Sequence, residues 1–247
     1  MIIRLLFLSA LFAVSVAAES ATRPPVMLLV HGAWGGAWQF SKVEPLLREQ
    51  GFDVRRATLT GLGERVHLSA DDIGLETHIE DVVNLILFEN LRDIILVGHS
   101  YGGMVISGVA DRVPARIARL IYLDALLPND GDSVATLRSG ANDLTKFAKD
   151  GFIIPWWVKA DKSYPQDVPH PLKTFTDTIA LTNPAARAIP ATYILTVDSG
   201  KQPEEDDFAA SAARARERGW PVVIFAGDHN PHWRKPEATA ALLGSLR

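Results

Sequence analysis

The stretch Ile94-Ile95-Leu96-Val97-Gly98-His99-Ser100-Tyr101-Gly102-Gly103 runs an apolar, strand-like segment into Gly-x-Ser-x-Gly and then directly into the helix-like Met104-Val105-Ile106. A serine on so sharp a strand-to-helix turn sits in a strained backbone conformation, with its hydroxyl lifted above the end of the sheet. Gly98 and Gly102 lack a Cβ, which lets strand and helix approach closely around it. Taken alone, the five-residue pattern also describes a surface turn. The apolar run before it and the apolar segment after it favour a nucleophile elbow with Ser100 at its apex.

Working outward, strand-like and helix-like segments alternate along the chain. Val26-Met27-Leu28-Leu29-Val30 is a continuous apolar run of the kind buried on both faces of a sheet. A glycine-rich loop, His31-Gly32-Ala33-Trp34-Gly35-Gly36-Ala37-Trp38, follows it. Ser41 and Glu44 have capping-box spacing for a helix ending near Gly51. Residues 53–57 read as a strand, 78–90 as a helix, 120–124 as a strand, 191–197 as a strand, 204–218 as a helix, 222–225 as a strand and 236–246 as a helix opened by Pro236. This alternation predicts an α/β fold with a mostly parallel central sheet and helices on both faces. Between about 127 and 190 the pattern is broken by seven prolines and by Phe152, Trp156 and Trp157, which predicts an inserted cap. One domain over 24–247 accommodates all of this.

The ends and the composition narrow the function classes. Residues 1–18 have a short positive start, an apolar run and small residues before Glu19, the pattern of a secretory signal peptide, so a periplasmic or secreted location is expected. The apolar run is short for a stable membrane span, and no later segment is long enough for one. The formal net charge is -4 with no Lys/Arg cluster, which disfavours nucleic acid as a partner. There are no cysteines and hence no disulfides.

A serine hydroxyl needs an imidazole to take its proton and a carboxylate to orient that imidazole. In sheets of this type the chain order is serine, acid, histidine. His31, His67, His78 and His99 precede Ser100, and His170 lies in the cap segment, leaving His229 and His232. His229, just beyond the last strand, is the preferred base. The two histidines are three residues apart, but no third ligand is near and Pro231 intervenes, so neither a metal nor another cofactor is expected. Two acids end parallel strands: Asp198, preferred because its strand precedes the histidine-bearing one, and Asp124. Asp228 reads as a loop residue, and Glu204, Glu205, Asp206 and Asp207 as the acidic start of a helix. Backbone amides of Tyr101 and Ala33 are the expected donors to a developing oxyanion. Trp34, Trp156 and Trp157 are candidate substrate-binding residues.

Together these motifs resemble the α/β-hydrolase superfamily, and more narrowly the group of plant methyl-salicylate esterases, hydroxynitrile lyases and bacterial pyrethroid-hydrolysing carboxylesterases. The residues carrying the likeness are His31 to Trp38, Thr58-Leu59-Thr60-Gly61-Leu62-Gly63-Glu64-Arg65, Gly98 to Gly103 and Gly227-Asp228-His229. The resemblance implies a cofactor-free serine hydrolase of small-molecule esters, with Ser100 as nucleophile, His229 as base and an acid after the penultimate strand. Two departures matter. The lyases carry a lysine after the site histidine and lack the glycine at position 32, whereas this chain has Asn230 and Gly32, which disfavours cyanohydrin cleavage. The group's acid lies in a Thr-x-x-Asp-like run that Thr196-Val197-Asp198-Ser199 fits only with a one-residue shift, so Asp124 stays open. A carbon–carbon lyase and a non-catalytic small-ligand binder on the same scaffold are the rival readings.

Overall fold

The computed structural model describes residues 23–140, 143–159, 161 and 163–247, so the signal-like segment 1–18 lies outside it. Six parallel strands form the central sheet in the order β2-β1-β3-β4-β8-β9: β1 Val26–Val30, β2 Asp53–Ala57, β3 Ile94–His99, β4 Ile117–Leu123, β8 Ala191–Val197 and β9 Val222–Ala226. Helices α1 Val43–Glu49, α2 Leu75–Phe88, α3 Gly102–Arg112, α6 Ala209–Glu217 and α8 Pro236–Ser245 connect and flank these strands. This is the helix-flanked, parallel α/β sheet expected from the alternation, and it has the form that the α/β-hydrolase resemblance implies. β3, β4 and β8 sit mid-sheet, which explains why their sequences are nearly unbroken apolar runs.

The strand periodicity splits the core into two layers. Leu28, Val30, Leu96, Tyr122 and Tyr193 pack on one face with α2 and α3, and Met27, Leu29, Val97, Ile121 and Ile194 on the other with α1 and α8. Three helix starts differ from the sequence reading, that of α2 only by beginning at Leu75 in place of residue 78. The first helix begins at Val43 with no side-chain cap, so Ser41 and Glu44 form no capping box, and Glu44 instead pairs with Arg48 and Arg56. The acidic run ahead of α6 lies in a short turn at 203–205 and a bend, and the helix starts only at Ala209, because Asp206 turns back to accept Phe208 N–H at 2.9 Å.

Between β4 and β8 the chain leaves the sheet. It forms α4 Val134–Leu137, α5 Lys173–Thr176 and a small antiparallel sheet of β5 Ala148–Lys149, β6 Phe152–Ile153 and β7 His170–Pro171. This segment brings Val134, Trp156, Trp157 and Phe175 over the carboxyl ends of the central strands. The remaining short helix, α7 Pro231–Arg234, follows the loop after β9.

Candidate active site

Ser100 occupies the elbow between β3 and α3 with φ of 54°, in the left-handed region. That conformation strains a residue with a side chain and aims its Oγ away from both elements. The glycines on either side are there for space: a Cβ on Gly98 would lie 2.6 Å from Gly102 O, and one on Gly102 would lie 2.7 Å from Val30 O. The strained turn is held by Ser100 N–H to Leu123 O at 3.3 Å and by Gly103 and Leu126 amides donating to Ser100 O at 3.1 and 3.0 Å.

His229, in the loop after β9, lies with Nε2 2.9 Å from Ser100 Oγ and Nδ1 2.6 Å from Asp124 Oδ2. Asp124 is 1% exposed, and its other oxygen accepts Thr196 N–H at 2.9 Å. A carboxylate so deeply buried needs such partners, since an unpaired one would be costly. With Oδ1 occupied by an amide, Oδ2 remains for the imidazole, which fixes the proton on Nδ1 and leaves Nε2 bare toward the serine.

Two rings fix the His229 imidazole from its sides. Phe208 stacks on it at 4.8 Å and 8°, and His99 lies at 4.7 Å while its Nε2–H donates to the His229 carbonyl at 2.7 Å. Position 99 is part of the elbow pattern, yet that pattern leaves it free; Phe208 carries no motif at all, and Thr196 enters the sequence reading only as the first residue of the Asp198 run, not as a partner of Asp124.

Asp198, the acid preferred from sequence order, is not beside His229. Its side chain is 47% exposed and pairs with Lys201 at 3.3 Å on the cavity rim. The physical reason is strand order in space. β4 adjoins the serine-bearing β3, whereas β8 lies one strand further out, and the turn closed by Lys201 N–H to Asp198 O carries Asp198 outward. The loop after β9 reaches back across β8, so its histidine meets the end of β4. Asp228 caps its own turn through Asn230 N–H at 3.0 Å.

His31, His78, His99, His170 and His232 are buried, and burial holds each of them neutral, whereas His67 lies exposed on the surface. His31 donates Nδ1–H to Gly32 O at 2.7 Å and accepts Leu59 N–H at Nε2, and burial lowers its pKa to about 4. His232 is wholly buried against Phe40 and His99, and burial lowers its pKa to about 3. Among the described residues no three metal-ligating side chains converge.

The Ser100–His229 pair opens into a cavity of about 400 Å³. Ala33 and Tyr101 border it, and among the described residues neither of their amides donates within the protein. Trp34, Trp156 and Trp157 line it as well; Trp34 and Trp157 meet edge to face at 5.0 Å, while Trp156 stacks on Phe147 at 4.0 Å. Asp206 and Arg138 add charge on the side of β8 and α6, where burial raises the Asp206 pKa and the neighbouring Asp124 and Asp207 add to the shift. A larger hollow of about 550 Å³, beside Tyr122 and Trp220, holds none of the candidate catalytic residues.

Comparison with known proteins follows the same outline. The sequence profile of the alpha/beta hydrolase family matches residues 27–242. A carbendazim hydrolyzing esterase of Nocardioides sp. (strain SG-4G) is 54% identical over 110 residues, 44% of this chain and 46% of that protein. Methylesterase 8 of Arabidopsis thaliana is 32% identical over 107 residues, 43% of this chain and 39% of that protein. The matched stretches thus span less than half the length of these curated relatives. An extracellular alpha/beta-hydrolase from a Paenibacillus species superposes with a TM-score of 0.74 at 24% identity, covering 90% of this chain and 98% of that one, a likeness of fold.

Proposed function

The chain belongs to the alpha/beta hydrolase family, and from that premise we propose that it is a serine hydrolase cleaving small carboxylic esters through an acyl-Ser100 intermediate. The observation that carries the reading is the unbroken hydrogen-bond chain Ser100–His229–Asp124 at the floor of an open cavity. His229 Nε2 takes the proton as Ser100 Oγ attacks the ester carbonyl, and Asp124 stabilises the imidazolium that results. Negative charge on the former carbonyl oxygen is met by Ala33 N–H and Tyr101 N–H, whose lack of internal partners supports this role. His229 then protonates the leaving alcohol and activates water, which releases the acid and restores Ser100.

The relatives' names, a carbendazim hydrolyzing esterase and a methylesterase, support ester cleavage and make methyl esters the first to try. A cavity of about 400 Å³ is at the small end of the range that holds a drug-sized ligand, and its aromatic walls suit an apolar or flat group. Together with the signal-like start of the chain, this reading includes export to the periplasm or medium, to be checked by sequencing the N-terminus of protein recovered from each fraction.

The test is hydrolysis of p-nitrophenyl and methyl esters by the unmutated protein and by Ser100→Ala, with a fluorophosphonate probe to label the nucleophile. Turnover lost in the variant and a mass adduct on the Ser100 peptide are expected. Inertness toward every ester, or full activity in Ser100→Ala, would refute the reading and favour a lyase or a binder.

A further inference from the structure

Trp34, next to Ala33, has φ of 62°. A bulky residue keeps that sterically costly left-handed conformation only where its surroundings hold it. Three hydrogen bonds hold Trp34, and all three come from the segment between β4 and β8. Its N–H donates to His170 Nδ1 at 3.0 Å, its carbonyl accepts Val168 N–H at 2.9 Å, and its indole Nε1–H donates to Ile153 O at 2.9 Å.

The consequence falls on Ala33. The peptide unit that carries Ala33 N–H is pinned on its other end, because Gly32 O accepts His31 Nδ1–H at 2.7 Å. The following peptide unit is pinned through Trp34 N–H by His170. Ala33 N–H is therefore aimed by two histidines, one from the core and one from the segment above the sheet. His170 is wholly buried, packed at 4.9 Å from Tyr101 and 5.0 Å from Phe175. Since Nδ1 accepts, the ring is neutral with its proton on Nε2; burial, with His78 and His31 nearby, keeps its pKa well below the ordinary value.

We propose that His170 is a positioning residue for the oxyanion hole: by accepting Trp34 N–H it ties the β4–β8 segment to the Ala33 amide, so the hole is complete only while that segment is seated. The proposal rests on the serine-hydrolase reading above. His170 touches no reacting atom; it acts through Trp34.

The test compares His170→Phe, which keeps a ring among Tyr101 and Phe175 but has no acceptor, with His170→Asn, whose Oδ1 replaces Nδ1. Each variant is assayed for ester turnover and for inhibition by phenylboronic acid, which forms a tetrahedral adduct on the serine. For His170→Phe, kcat is expected to fall about 10- to 100-fold, short of the loss of a whole oxyanion donor, with KM nearly unchanged. The boronate is expected to weaken by the same factor as kcat/KM, and His170→Asn to recover most of both. A packing role alone would not separate tetrahedral from ground-state binding, nor be rescued by asparagine. If His170→Phe does not fold, His170→Met carries the same comparison. An active protein whose folded acceptor-less variant keeps its kcat, or loses affinity for substrate and boronate alike, overturns this proposal alone; an unmutated protein inert on all esters overturns the hydrolase reading and this proposal with it.

Discussion

Replacing Asp124 by asparagine is expected to abolish turnover while leaving the fold intact, because of how the two carboxylate oxygens are used. Oδ1 accepts Thr196 N–H, and the amide oxygen of the substitute can keep that bond. The amide nitrogen then faces His229 Nδ1 at the 2.6 Å position of Oδ2 and presents a donor where an acceptor stood. His229 must answer with a bare Nδ1, which moves its proton to Nε2, 2.9 Å from Ser100 Oγ, and removes the lone pair that should take the serine proton. In the serine-protease example the same exchange lowers kcat by about 10⁴, or about 5.4 kcal/mol of transition-state stabilisation. The control is Asp198→Asn. Its exposed pair with Lys201 is expected to contribute about 0–1 kcal/mol to stability and almost nothing to turnover. Steady-state hydrolysis of a p-nitrophenyl ester, with near-ultraviolet circular dichroism to check folding, reads both. A folded Asp124→Asn protein retaining more than about a tenth of kcat, or an inactive Asp198→Asn protein, would refute the tautomer argument, whose expected loss is about 10⁴-fold.

Acid is expected to unfold the protein through its buried histidines. The folded-state pKa values of His31, His78 and His232 lie at about 4, 4 and 3, below the ordinary 6.5, so the unfolded chain binds more protons and stability falls as pH drops from about 6.5 toward 4. At pH 5 each costs about 2 kcal/mol relative to pH 8, and the three together about 6 kcal/mol; equal urea midpoints at the two pH values would contradict this. Gly98→Ala places a Cβ 2.6 Å from the fixed backbone Gly102 O and is expected to cost about 1–3 kcal/mol, lowering the melting temperature by about 2–4 °C per kcal/mol. An unchanged melting temperature would mean that strand and helix can separate at no cost. Trp156, 56% exposed on the cavity rim, is expected on change to alanine to raise KM with kcat kept, and a fall in kcat alone would place it in the chemistry instead.

Local pattern was enough for the elbow, for all six central strands to within a few residues, and for Ser100 and His229 as candidates. Those features are written in short-range terms: apolar runs, glycines where a Cβ would clash, and chain order. The bend at Asp206 to Phe208, which delays α6, was hidden by an acidic run that reads equally well as a helix start. The choice between Asp124 and Asp198 was beyond any local rule. Both end a parallel strand, and only the order of strands in space decides which carboxylate lies under a histidine arriving from the far side of β8. The neighbours of His229, Phe208 at 4.8 Å and the tether from His99, and the hold of His170 on Trp34 join residues 21 to 136 positions apart. The sequence by itself determined the layered α/β fold and singled out Ser100 as the candidate nucleophile, because periodicity and steric room act between neighbours in the chain. Tertiary structure alone decided which carboxylate meets His229, what packs around that ring and how the Ala33–Trp34 loop is held, because hydrogen bonds and ring contacts depend on distances that chain separation does not encode.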